Sequence, residues 1–96
     1  MSYRLEFEDR VKKDFANIGR ENSVIIMKVL SEFAANFSCE YEQEFLRTTK
    51  IKALKGSYEG LYRLKIRSFR AIYKKKENEL IILVLRAAAR KEAYRE

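Results

Sequence analysis

Histidine and proline are absent from this 96-residue chain, cysteine occurs once and glycine three times. Without His there can be no Ser-His-Asp triad, no imidazole general base and no His-bearing metal site. A lone Cys39 excludes an internal disulfide and a zinc knuckle, and makes a reducing cytosol the expected compartment. The lack of Pro and the scarcity of Gly exclude collagen-like, linker-rich and low-complexity architectures. Long apolar runs are also missing: the longest, Leu80 to Leu85, is far too short to span a membrane. The opening residues alternate and carry charge, so no secretory signal is expected.

What remains is core material and charge. The hydrophobic fraction is 47%, with six Phe and six Tyr, enough for one folded domain over residues 1–96 and too little for a second. Lys and Arg number 21 against 14 Asp and Glu, a formal charge of +7. The excess is uneven: residues 1–46 carry six basic and nine acidic side chains, whereas residues 47–76 carry eleven basic and a single acidic one, Glu59. A block this lopsided points to a polyanionic partner: RNA, DNA or an acidic protein.

Tyr3 to Phe7 alternates with the period of a half-buried strand. Asp9 is placed to cap a helix whose Val11, Phe15 and Ile18 form one apolar stripe, and Gly19 to end it in a left-handed cap. A second helix is expected to start at Glu21 to Ser23 and to bury Val24, Met27, Leu30 and Phe33 or Ala34, with Ile25, Ile26 and Val29 broadening that side. Residues 35–60 read as a loop with a short strand or turn near Lys52 to Leu54. Leu61 to Arg67 then sets Tyr62, Leu64 and Ile66 against Arg63, Lys65 and Arg67 on opposite faces. A reversal near Ser68 leads into a strand from Phe69 to Lys74. After a polar turn at Lys75 to Asn78, the run Leu80 to Leu85 suits a central strand. The expected fold is α+β, in the order strand-helix-helix-strand-strand-strand. It is a small antiparallel sheet of about four strands with the helical hairpin packed on one face.

Helices on one face would leave the other open, with Arg63 and Lys65 projecting from it, Arg70 on the neighbouring strand, and Arg90 and Tyr94 returning to its rim. Such a surface suits a phosphodiester backbone: Arg grips phosphate bidentately, Lys neutralises it or moves a proton, and Tyr stacks on a base or handles a proton. RNA cleavage by attack of the 2′-OH on the adjacent phosphate needs alignment, charge stabilisation and two proton movements, and no cofactor or metal. A Lys with its pKa lowered by clustered cations can be the base; Arg63 keeps its proton and can only clamp. Arg47, Lys52, Lys55, Arg67 and Lys91 are expected as further phosphate contacts.

The segments Leu54-Lys55-Gly56, Gly60 to Ile66, Phe69 to Tyr73, Leu80 to Arg86 and Arg90 to Tyr94, with the opening strand and helical hairpin, resemble the RelE/ParE superfamily of bacterial and archaeal toxins. The resemblance covers nearly the whole chain and lies closer to the RelE branch. It implies the toxin of a type II toxin–antitoxin pair, cytoplasmic and neutralised by a cognate antitoxin through which alone it would meet DNA. The RelE branch cuts mRNA in the ribosomal A site, whereas the ParE branch inhibits DNA gyrase; the first is the leading expectation and the second its alternative. By position, the resemblance implies Arg63 as a clamp where Lys is usual, Lys65 as base or stabiliser and Arg70 as phosphate ligand. Arg90 and Tyr94 take the places of the late Arg and the terminal aromatic. Two departures stand out: Ala89 occupies the place where many relatives carry His, and the turn at Ser68 is short and lacks Gly.

Overall fold

The computed structural model describes residues 3–89, whose elements are β1 (Arg4–Phe7), α1 (Arg10–Ile18), α2 (Arg20–Asn36), α3 (Cys39–Arg47), β2 (Ile51–Ala53), β3 (Tyr62–Ile66), β4 (Phe69–Lys76) and β5 (Ile81–Ala89). The strands form one sheet in the order β1-β5-β4-β3-β2. The α+β class and the helices on one face are as expected. Three details differ. The sheet is mixed, because β1 runs parallel to β5, with Arg4 opposite Ile81 and Phe7 opposite Val84. The short stretch at Ile51–Ala53 is a true fifth strand, paired with β3. Residues 39–47, read as loop, are helical.

That helix has local causes. Ser38 is extended and its hydroxyl accepts from the Tyr41 N–H at 3.1 Å, satisfying one of the free amides of the first turn. Tyr41 and Phe45, one turn apart, pack on Phe33 of α2. Phe33 is the hub of an aromatic cluster, with Phe37 at 5.2 Å and Tyr73 of β4 at 5.3 Å, both edge-on. Each such pair contributes about 0.5–1.5 kcal/mol beyond its buried area.

α1 and α2 share one connecting residue. Gly19 has φ 90° and ψ 156°, an extended mirror-image conformation rather than the left-handed cap expected, and essentially only glycine adopts it. Its N–H closes α1 on the Phe15 carbonyl and its carbonyl starts α2 by accepting from Ser23 N–H, so α2 begins at Arg20, earlier than the sequence suggests. Asp9 is itself helical (φ −56°, ψ −33°) and makes no side-chain cap; the first turn closes through the carbonyls of Glu8 and Asp9. The buried stripe of α2 is Ile26, Leu30, Phe33 and Ala34. Val24 and Met27 lie outside it, 62% and 38% exposed, contrary to expectation. With Ile25, Ile26 and Val29 beside them, the N-terminal half of α2 is apolar on most sides and its periodicity does not set the phase.

Where β1 ends, β5 continues with β4 on one side and an open edge on the other. Glu8 N–H makes the last β1 bond to the Val84 carbonyl at 2.9 Å. Beyond it, the buried Asp14 carboxylate of α1 accepts from Ala87 N–H and Arg86 Nε, both at 3.0 Å. A side chain thus substitutes for a strand at the open edge and lets β5 run to Ala89, past the expected end at Leu85. An irregularity in the β4–β5 register between Ile72 and Tyr73 accompanies the change.

Candidate functional site

The β3–β4 hairpin organises the basic block. Leu64 and Ile66 are buried beneath the helices, so Arg63 and Lys65 face the other way. The register places Lys65 opposite Arg70, and Arg63 between Lys52 of β2 and Ile72 of β4. Ile72 is in turn opposite Arg86, and Arg70 opposite Ala88. Two rows therefore cross the face away from the helices: Lys52, Arg63, Ile72 and Arg86 in one, Lys65, Arg70 and Ala88 in the next. Cross-strand neighbours lie about 5 Å apart, near enough for one polyanion to touch both members of a pair.

The face is less open than expected. Ile72, Ile81 and Ala88 are buried on it, and Arg70, expected to project as a phosphate ligand, is only 5% exposed. Its guanidinium donates to the carbonyls of Phe69 at 3.0 Å and Arg67 at 3.4 Å, which fixes it against the hairpin end. Arg63 is half-buried and donates to the Thr49 carbonyl at 2.6 Å, while its Nε is buried with no hydrogen-bond partner among the described residues. Both arginines are held by backbone carbonyls. Lys65, by contrast, is exposed.

Lys65 and Arg67 line an open groove of about 610 Å³ between the hairpin end and the C-terminal end of α3, together with Glu44, Phe45, Thr48, Thr49 and Lys50. Arg67 is the first of two residues in the hairpin turn and has φ 55°, a position where two-residue turns favour Gly. Lys52 is exposed beside Arg63, and Lys55 is exposed in the loop before a 3-10 turn at Gly56–Tyr58. Arg47 stands apart on α3, paired with Glu44. The hydrogen bond and charge of Arg47 hold the Glu44 carboxyl below its ordinary range, and Glu44 raises Arg47 in return. Arg90, Lys91 and Tyr94 lie outside the described residues.

Sequence reasoning missed four charged positions around this surface. Lys74 and Lys76 continue the outward alternation of β4 beyond Arg70 and Ile72, a period-2 signal legible in advance. Arg86 ends the first row but is engaged by Asp14. Lys50 lines the groove with its ammonium 5.2 Å from the centre of the Phe45 ring. On the helix side, Glu42 of α3 is buried and accepts from Lys75 Nζ at 2.9 Å and Tyr73 hydroxyl at 3.4 Å. Tyr62 and Tyr73 stack at 5.5 Å on the helix side of the sheet. Burial, reinforced by the charge and hydrogen bond of Glu42, drives the Tyr73 phenol well above its ordinary range. Burial opposes the charge of Lys75, but its bond to Glu42 outweighs that and raises it.

Among the described residues no three His, Cys, Asp or Glu side chains converge on a possible metal position, and no helix is long and apolar enough to cross a membrane. No family model matches the sequence, and no curated protein matches it. Solved structures do share the fold. YafQ from E. coli aligns with 97% of this chain and 99% of its own at a TM-score of 0.69 and 14% identity. The archaeal RelE–RelB complex from Pyrococcus horikoshii aligns over 97% and 100% at 0.65 and 20%. The RelBE2 toxin–antitoxin complex from Mycobacterium tuberculosis aligns over 94% and 100% at 0.63 and 20%. The architecture is that of RelE-type toxins over nearly the full length of each chain.

Proposed function

We propose that this chain is the toxin of a type II toxin–antitoxin pair and cleaves mRNA in the ribosomal A site. The observation that carries this reading is the cross-strand pairing of Lys65 with Arg70, beside the row that holds Arg63. A phosphodiester laid over this pair meets the exposed Lys65 ammonium and the neighbouring Arg63 guanidinium, oriented by a backbone carbonyl, with the buried Arg70 charge beneath, which is the preorganisation that charge stabilisation requires.

In the reaction, the 2′-oxygen loses its proton and bonds to phosphorus, the bond to the 5′-oxygen breaks, and that oxygen gains a proton. A 2′,3′-cyclic phosphate is left. Lys65 takes the 2′-OH proton or neutralises the crowded phosphorane. Arg63, tied to Thr49, grips a non-bridging oxygen and moves no proton. Arg70 holds the hairpin end and adds positive potential from beneath. Arg90 and Tyr94 belong to the site by resemblance alone. The ribosome aligns the message, and this places the protein in the cytoplasm. Two of the structures sharing the fold were solved with an antitoxin. For this chain, an acidic amphipathic segment complements the basic block and is the expected inhibitor.

Primer extension on a translation reaction tests the reading. Translated message should be cut and naked message left whole, with Lys65→Ala reducing cleavage by about 10²-fold or more, the scale of a lost proton-transfer or charge-stabilising group. Lys65→Arg separates the two roles, because an arginine restores charge without accepting a proton. Intact message together with loss of DNA supercoiling would replace the nuclease by a gyrase inhibitor.

A further inference from the structure

We infer that Lys50 and Arg67 form a second phosphate subsite in the groove between the C-terminal end of α3 and the β3–β4 turn, taking the phosphate next to the one at Lys65 on the same RNA strand. The inference rests on the nuclease reading for the phosphate at Lys65.

The backbone provides the spacing. Lys65 N–H donates to the Lys50 carbonyl at 2.9 Å, continuing the ladder one step beyond the Ile51–Leu64 pair. On its other side Lys65 pairs with Arg70. Neighbouring strands lie about 4.8 Å apart, so Lys50, Lys65 and Arg70 extend over roughly 10 Å, a length that outruns a single phosphate.

The side chains are available and positioned. Lys50 rests over the face of Phe45, which restrains its ammonium at the groove wall without neutralising it. Glu44, the groove's carboxylate, is engaged by Arg47. No carboxylate among the described residues forms an ion pair with Lys50, Lys65 or Arg67.

The ends of α3 and of the β3–β4 hairpin shape the groove: Thr49 N–H donates to the Leu46 carbonyl and Lys50 N–H to the Phe45 carbonyl, closing the helix and delivering Lys50 to the groove wall. Three non-glycine residues among those described have positive φ, and two of them, Thr49 at 63° and Arg67 at 55°, line this groove. At Arg67 the conformation turns a cation toward the groove from a position that would otherwise favour glycine. The volume, about 610 Å³, is within the usual range for a small-molecule site and admits one nucleotide unit.

The test uses the full chain and a hexanucleotide RNA with 2′-O-methyl sugars, which binds but cannot be cleaved, followed by fluorescence polarisation across a salt series. Lys50→Gln should weaken binding about tenfold at low salt and reduce the log–log salt slope by about 0.7, the loss of one phosphate contact on a single strand. Placing a neutral methylphosphonate at one linkage should abolish the difference between Lys50→Gln and wild type. Lys28→Gln, an exposed change on α2, should leave the binding unaltered. An unchanged slope in Lys50→Gln, a deficit that persists whichever linkage is neutralised, or no binding by the wild type would each overturn the subsite. So would dependence on Lys50 of binding to polyglutamate but not to RNA, since an acidic peptide would then be the occupant. Uncut message on ribosomes with Lys50-dependent hexamer binding intact would remove the nuclease and leave the subsite.

Discussion

Replacing Tyr73 with Phe should make the chain less stable at neutral pH and relatively more stable in alkali. Tyr73 is fully buried, and its phenol faces Glu42 at 3.4 Å. Its folded-state pKa lies above the ordinary value of 10.0, so the native chain keeps a proton that the unfolded chain has released. The associated stability is complete below about pH 10 and falls as pH rises, by about 1.4 kcal/mol at pH 11 for this one group. Lys75 and Tyr41 are raised as well and push in the same direction in both proteins, so the comparison of the two isolates Tyr73. At pH 7 the variant loses a long hydrogen bond worth about 1 kcal/mol, while Glu42 keeps Lys75 as its partner. The two stability curves should therefore converge near pH 11. Urea unfolding followed by far-UV circular dichroism is the suitable assay, because the chain has no Trp and Tyr emission itself changes on ionisation. Parallel curves from pH 7 to 11 would refute the burial argument, since they would mean that Tyr73 ionises as readily folded as unfolded.

Asp14→Ala should cost about 3 kcal/mol, because it leaves the amide of Ala87 and the guanidinium of Arg86 without their buried acceptor. In a domain of this size that lowers the melting temperature by more than about 10 °C, and a loss of only a degree or two would contradict the edge-sealing role. Gly19→Ala should cost about 1–3 kcal/mol from backbone strain alone, since an added methyl group meets nothing within 4 Å. Thermal melts measure this, and an unchanged midpoint would show that α1 and α2 can be joined another way. Lys65→Ala, at an exposed position, should stay within about 0.5 kcal/mol of wild type, so that its loss of cleavage reports on chemistry rather than folding.

Alternation made β1, β3 and β4 legible before any coordinates, because strands with one buried face display period 2 directly. It also gave the right face for Arg63, Lys65 and Arg70, as the register now pairs the last two. What it could not give was depth. Nothing in the order of residues announces that Arg70 lies beneath the surface or that Ile72, Ile81 and Ala88 are covered. α3 was hidden by its polar composition, with Glu40, Gln43 and Glu44 all exposed. Its signal was the aromatic spacing of Phe37, Tyr41 and Phe45 behind a serine, a stripe one side chain wide. Glu42 and Asp14 read as ordinary surface acids, since their partners Lys75 and Arg86 come from strands far along the chain. Burial of a charge is decided by such distant partners, and a local window does not contain them.

The parallel seam between β1 and β5 also sets when this molecule can come into being. Among the described residues, the strand that begins at Arg4 has its sole neighbour in Ile81–Ala89, and the clasp beside it, Asp14 on Arg86, bridges 72 positions. Contacts this remote incur the full entropy of loop closure before they return anything, which makes folding slow. A chain still being synthesised cannot close that seam until nearly ninety residues have left the exit tunnel. The two basic rows, which end at Arg86 and Ala88 of β5, are thus completed only when this late strand is in place.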